Sequence, residues 1–163
     1  MAKIYRSGAG GALLDEYERA IIDLQNIIAD ISDEELIKVI DNKTIDTNCK
    51  SIQTILSHVV RAGYTYAIDI RKIAGEKMHY PEKSFHLAIS DYIKDLTDFF
   101  NFTIDTFKNI ADSRLEQFYE SKKIKTSWGQ VYDIEQLTEH AIVHILRHRR
   151  QIEKFKIALR EHK

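Results

Sequence analysis

Apolar residues recur three and four apart along most of this chain, the spacing that gathers them on one side of an α-helix. Leu13, Leu14, Tyr17, Ala20, Ile21, Leu24, Ile28 and Ile31 follow that rule with charged residues between them. They predict a first long helix from about Ala12 to Ala29. Ser32 followed by Glu35 has the form of a capping box and opens a short helical turn through Ile40. Asp41 to Lys50 is polar and reads as loop.

Ser51 is a natural N-cap for a second long helix, whose apolar face is Ile52, Ile55, Leu56, Val59, Tyr66, Ile70 and Ile73. Gly75 ends it, and Pro81 lies in the loop beyond. A third helix is expected after Ser84. Its aromatic stripe is Phe85, Ile89, Tyr92, Ile93, Leu96, Phe99, Phe100, Thr103, Phe107 and Ile110. Ser113 to Tyr132 reads as a loop containing Trp128 and Gly129. Asp133, with Gln136 three residues on, caps a last helix that runs nearly to the C-terminus. No strand of consequence is predicted. Four amphipathic helices each need a partner for one face, so the expected fold is all-α, a four-helix bundle spanning 1–163 as one domain. The linker between the second and third helices, fully extended, reaches only ~33 Å, which suits an antiparallel neighbour better than a crossover.

Composition narrows the setting. At 163 residues the chain needs no disulfide, and with one cysteine it forms none within itself. No apolar run approaches the roughly 18 residues of a membrane span, and no signal-peptide core is evident at the N-terminus. A net charge of −1 gives no support to a nucleic-acid or membrane partner. A cytoplasmic protein is expected.

The unusual feature is the histidines. His140, His144 and His148 stand four apart in the last helix. On a helical wheel with Ile134 at zero, the stripe of Leu137, Ala141, Ile145, Ile152, Phe155 and Leu159 spans from about 300° through zero to about 20°. His148 falls inside it at about 320°, His144 on its border at about 280°, and His140 outside at about 240°. A buried imidazole without hydrogen-bond partners costs about 1–3 kcal/mol. Two of them one turn apart can satisfy each other's cost by binding one metal ion, the usual helical presentation of two nitrogens to zinc. A third ligand must come from another element, and His58, at the edge of the second helix's stripe, is the best candidate. A lone histidine in that position is more often a surface or hydrogen-bonded one. His79, His86 and His162 read as solvated.

The run His144-Ile-Leu-Arg-His148-Arg149-Arg150-Gln151 resembles the C-terminal motif of the DinB-like (YfiT-like) metalloenzyme family. That family pairs it with an upstream histidine in a segment like SIQTILSHVV, here His58. The segment SWGQVYDIEQLTEH resembles the lead into the family's last helix. The common form of the motif has glycine before the glutamine, where this chain has Arg150. The likeness extends from about Leu13 to Phe155. It implies an up-down-down-up bundle, often dimeric, with a divalent metal on His58, His144 and His148. His140 matches a further histidine that is not usually a ligand. Characterised members include transferases and isomerases that use low-molecular-weight thiols. The family name reflects a founder's link to DNA-damage induction and implies no DNA contact.

Three protein ligands leave one position open, the mark of a catalytic site. Such an ion lowers the pKa of bound water, or takes a thiol as thiolate. The expected function is therefore metal-dependent activation of a low-molecular-weight thiol or of water, for transfer to a small electrophile: a thiol S-transferase or a hydrolase. Zinc and nickel are the foremost metals, with iron a further option. Gln151, at about 260° on the wheel, is placed to support the ligands or to face substrate. Tyr66 and Trp128 can wall the pocket, although aromatic residues more often pack a core.

Other chemistries find less support. A ferritin-like di-iron site needs two inward Glu-x-x-His pairs, and the one here, Glu76 to His79, sits in a loop. Cys49 lies just before the second helix, whose dipole can lower a thiol pKa, although a lone loop cysteine is usually inert. Arg147, Arg149, Arg150, Lys154 and Lys156 read as a solvated face rather than a DNA-binding one. The main alternative is a non-enzymatic dimer with a structural or vestigial metal site, its interface a patch of Phe99, Phe100 and Phe102.

Overall fold

The computed structural model describes residues 4–161. They are mostly helical: α1 Gly8–Ile28, α2 Asp33–Ile37, α3 Ile52–Ile73, α4 Ile89–Phe107 and α5 Ile134–Glu161. A two-stranded antiparallel hairpin, β1 Ile124–Lys125 and β2 Val131–Tyr132, pairs Ile124 with Tyr132 and Lys125 with Val131.

α1 begins four residues before the predicted start, through a glycine-rich stretch that local propensity disfavours. A distant carboxylate compensates. Asp112 accepts the Ala9 N–H at 2.8 Å and the Gly10 N–H at 3.0 Å, doing the work that the Ser7 side chain leaves undone. The Ser32–Glu35 capping box forms as expected, but α2 stops at Ile37, where Lys38 turns extended. α3 starts after Ser51, whose hydroxyl accepts from Thr54 N–H. α5 is capped by Asp133, which accepts from Gln136 N–H at 2.8 Å while Gln136 returns a bond to Asp133 N–H.

α4 departs from expectation. It begins at Ile89, so Phe85 and Leu87 lie in the preceding loop, both exposed. That loop is pinned to its surroundings instead of coiling. Gln53 donates to the His86 carbonyl at 2.8 Å, and the His86 N–H donates to the Tyr92 hydroxyl. The His86 ring meets Asp95 at 2.7 Å, so His86 is half-buried and partnered rather than solvated.

α1 packs against α4 and α5, and so does α3. The core lies where their stripes meet, with Leu24, Ile55, Leu56, Tyr92, Leu96, Phe99, Leu137 and Ile152 fully buried. Each such aliphatic side chain contributes roughly 1.5–3 kcal/mol. α3 and α4 approach closely at Gly63, where a Cβ would lie 2.6 Å from the Phe99 ring. Phe99 and Phe100 are buried, so the expected aromatic interface patch does not exist as a surface. Phe102 is half-buried beneath the Arg71 guanidinium, 4.3 Å from its ring centroid. No helix among the described residues is long and apolar enough to cross a membrane.

Candidate metal centre

α5 carries His144 and His148 one turn apart on the edge of its apolar stripe. His148 is buried between the turns of Ile145 and Ile152, and His144 is partly open to solvent. The packing of α3 on α5 brings His58 across the seam. His58 Nε2 lies 2.9 Å from His144 Nε2, and His148 Nε2 lies 3.2 Å from that same atom. The three ring centroids are 4.5 to 5.1 Å apart, with the rings edge to face. One nitrogen from each ring falls within 4.8 Å of the others.

The two separations from His144, 2.9 and 3.2 Å, are close to those of a three-imidazole ligand set. Bonds of about 2.0–2.1 Å to a tetrahedral ion separate ligand nitrogens by roughly 3.3 Å. A proton on His144 Nε2 serves one neighbouring lone pair and leaves the other facing it, whereas a cation serves all three. The protonation states agree. Burial, reinforced by His148, lowers His58 from 6.5 to about 4. Burial, with His148 and His58 adding to it, lowers His144 to about 2. Burial also lowers His148, opposed by its bond to Gln151. All three are neutral at neutral pH and present lone pairs.

Gln151 sets the tautomer. Its Oε1 accepts from His148 Nδ1 at 3.1 Å, which leaves the His148 Nε2 lone pair directed at His144. Cys49 is part of the same cluster, its thiol 3.7 Å from Gln151 Oε1 and 3.4 Å from Asp46. It lies in the turn Thr47–Cys49, and burial raises its pKa, which agrees with an inert loop thiol rather than one activated by a helix dipole.

His58 and His144 open onto a cavity of about 300 Å³ lined also by Arg61, Thr65, Tyr66, Trp128 and His140. Tyr66 is buried, and its ring stands edge-on to His144 at 5.8 Å and to Trp128 at 6.1 Å. Trp128 is 44% exposed at the hairpin tip and stacks on His140 at 5.3 Å, so it is a pocket wall and not core. The hairpin is what carries it there. Gly129, at φ 90°, makes the turn, and Thr126 bonds to Gln130 across it. His140 joins the pocket but not the triad, its Nδ1 3.5 Å from the Tyr132 hydroxyl. His79 is exposed in the loop after α3 and lines neither the triad nor its cavity, and His162 lies outside the described residues.

Sequence reasoning weighed Cys49 only as a lone loop thiol and missed its contact with Gln151, with Asp46 behind it, which arises only through the folding of the 38–50 segment onto α5. Ile40 and Asp41 N–H groups donate to the Lys50 carbonyl and close that segment on itself. No periodicity announces such a contact. No family model matches this chain, and no curated protein matches it.

Proposed function

We propose that this protein is a DinB-like four-helix bundle that holds one divalent metal, zinc or nickel foremost and iron next, on His58, His144 and His148. Its activity is transfer of a low-molecular-weight thiol, or of water, to a small electrophile. The observation that carries this reading is the convergence of three neutral imidazole nitrogens, two of them, on His58 and His144, lining an aromatic-walled cavity. The packing of α1 and of α3 against α4 and α5 supports the bundle part of this reading. A cytoplasmic location and a homodimer complete the proposal; both come from the resemblance and from composition.

When bound, the metal supplies a Lewis acid that ionises a thiol or water near neutral pH. The chain's own residues do the rest. Gln151 keeps the His148 proton on Nδ1. Tyr66 and Trp128 give the cavity an aromatic wall. Burial holds the Tyr66 phenol in its protonated form.

Elemental analysis by mass spectrometry tests the site. About one equivalent of metal is expected on the untagged protein and none on His144→Ala. Absence of metal after reconstitution overturns the reading. Metal-saturated protein that turns over nothing across a panel of thiols and electrophiles overturns the activity alone. Sedimentation as a monomer at high micromolar concentration overturns the dimer.

A further inference from the structure

The basic run of α5 divides into two groups with different fates. Arg149 pairs with Asp23 at 3.2 Å, Lys156 with Asp30 and the Ile27 carbonyl, and Arg160 with Asp30 at 3.0 Å. These side chains tie α5 to α1. Arg147, Arg150 and Lys154 have no ion-pair or hydrogen-bond partner among the described residues. At spacings of three, four and seven they share one face of α5. With Thr44, Asp46, Cys49 and Gln151 they line a cavity of about 390 Å³.

Three unpaired cations against one carboxylate leave this cavity positive, although the chain as a whole carries −1. Like charges three and four apart on a helix repel, and although water screens these exposed side chains, an anion seated among them relieves that repulsion. Gln151 adds a donor: its oxygen is taken by His148, and its NH₂ group has no acceptor among the described residues. The cavity also adjoins the histidine cluster. Gln151 belongs to both: it lines the cavity beside Cys49, and its Oε1 accepts from His148 Nδ1 at 3.1 Å. The other cavity at the cluster has an aromatic wall. The two openings therefore differ in chemistry.

We infer that the Arg147–Arg150–Lys154 cavity is an anion subsite, taking a carboxylate or phosphate group of a small co-substrate whose reacting atom reaches the histidine cluster. The subsite stands on the cations themselves; its assignment to a thiol co-substrate rests on the proposed function. Guanidinium groups suit either anion, since both offer two acceptor oxygens to a planar fork.

The test has two arms. In the first, metal-free protein in chelator is titrated calorimetrically with succinate and with inorganic phosphate, which separates the two anion types. Wild type is expected to bind at least one of them. The Arg147→Gln/Arg150→Gln/Lys154→Gln protein is expected to bind it at least tenfold more weakly. A control of equal charge change, Lys38→Gln/Lys77→Gln/Lys125→Gln, alters exposed lysines elsewhere and is expected to bind as wild type does. This arm needs no metal, so it succeeds or fails separately from the metal reading. Equal binding by the two triple variants, no binding by wild type, or binding of a DNA duplex in place of both small anions overturns the subsite.

In the second arm, cobalt-loaded protein is titrated with glutathione, a thiol with two carboxylates, and with 2-mercaptoethanol, which has none. Binding is read from the thiolate-to-cobalt absorption. The cavity variant is expected to weaken glutathione tenfold or more and to leave 2-mercaptoethanol unchanged. Equal effects on both thiols overturn the link between cavity and cluster.

Discussion

The histidine cluster should make the metal-free protein acid-sensitive by a predictable amount. An imidazole kept neutral in the folded state, but free to protonate in the unfolded chain, favours unfolding as pH falls. The sign follows from proton counts. Below 6.5 the unfolded chain binds more protons than the native one, so stability rises with pH. It is fully present above 6.5 and drains as pH falls towards the folded values, about 4 for His58 and about 2 for His144. At about pH 5 an unfolded histidine is protonated roughly thirtyfold over, while native His144 stays neutral, a penalty of about 2 kcal/mol at that site. His58 is half-buried and adds less because solvent screens it. Urea denaturation followed by circular dichroism, in chelator at about pH 7.5 and about pH 5, measures the loss. Wild type should lose about 2 kcal/mol more across that interval than His144→Asn, which has no imidazole to protonate. Equal losses in the two proteins refute the reasoning, because the nitrogens would then be accessible to protons in the fold. Saturating metal should raise stability at about pH 7.5 by about 2.7 kcal/mol at a hundredfold excess over Kd, and by less at about pH 5, where protons compete for the same nitrogens.

Other consequences are checked more briefly. Gln151→Leu removes the acceptor that fixes the His148 tautomer and should weaken metal binding about 10–100-fold, read by competition with a chromophoric chelator. Asp112→Ala strips two N–H groups at the start of α1 of their acceptor and should lower the urea midpoint of unfolding, with the slope unchanged. Gly63→Ala puts a methyl 2.6 Å from the Phe99 ring and should cost about 1–3 kcal/mol by the same assay, since two packed helices must part to admit it.

Much of the helical scaffold is legible in the chain because its determinants are local. The three-and-four spacing of Ile52 to Ile70 and of Leu137 to Leu159 places those residues on one side of a helix whatever surrounds it. The capping boxes at Ser32 and Asp133 need only residues three apart. The same periodicity puts His144 and His148 together, since residues four apart are neighbours in any α-helix.

What lies between elements was decided by packing. That His58 comes within 2.9 Å of His144 depends on how α3 seats on α5, and no spacing within one helix encodes it. The late start of α4 follows from the bonds that hold His86 to Gln53, Tyr92 and Asp95, partners on two helices. The hairpin that brings Trp128 to His140 is too short to show an alternating pattern. The basic run of α5 is uniform as sequence. Only the position of α1, with Asp23 and Asp30 facing it, neutralises Arg149, Lys156 and Arg160 and leaves Arg147, Arg150 and Lys154 around a cavity. Helix formation is a matter of near neighbours, so the chain displays it. The distances on which ligation and charge pairing depend are set between residues dozens of positions apart, and only the folded structure determines them.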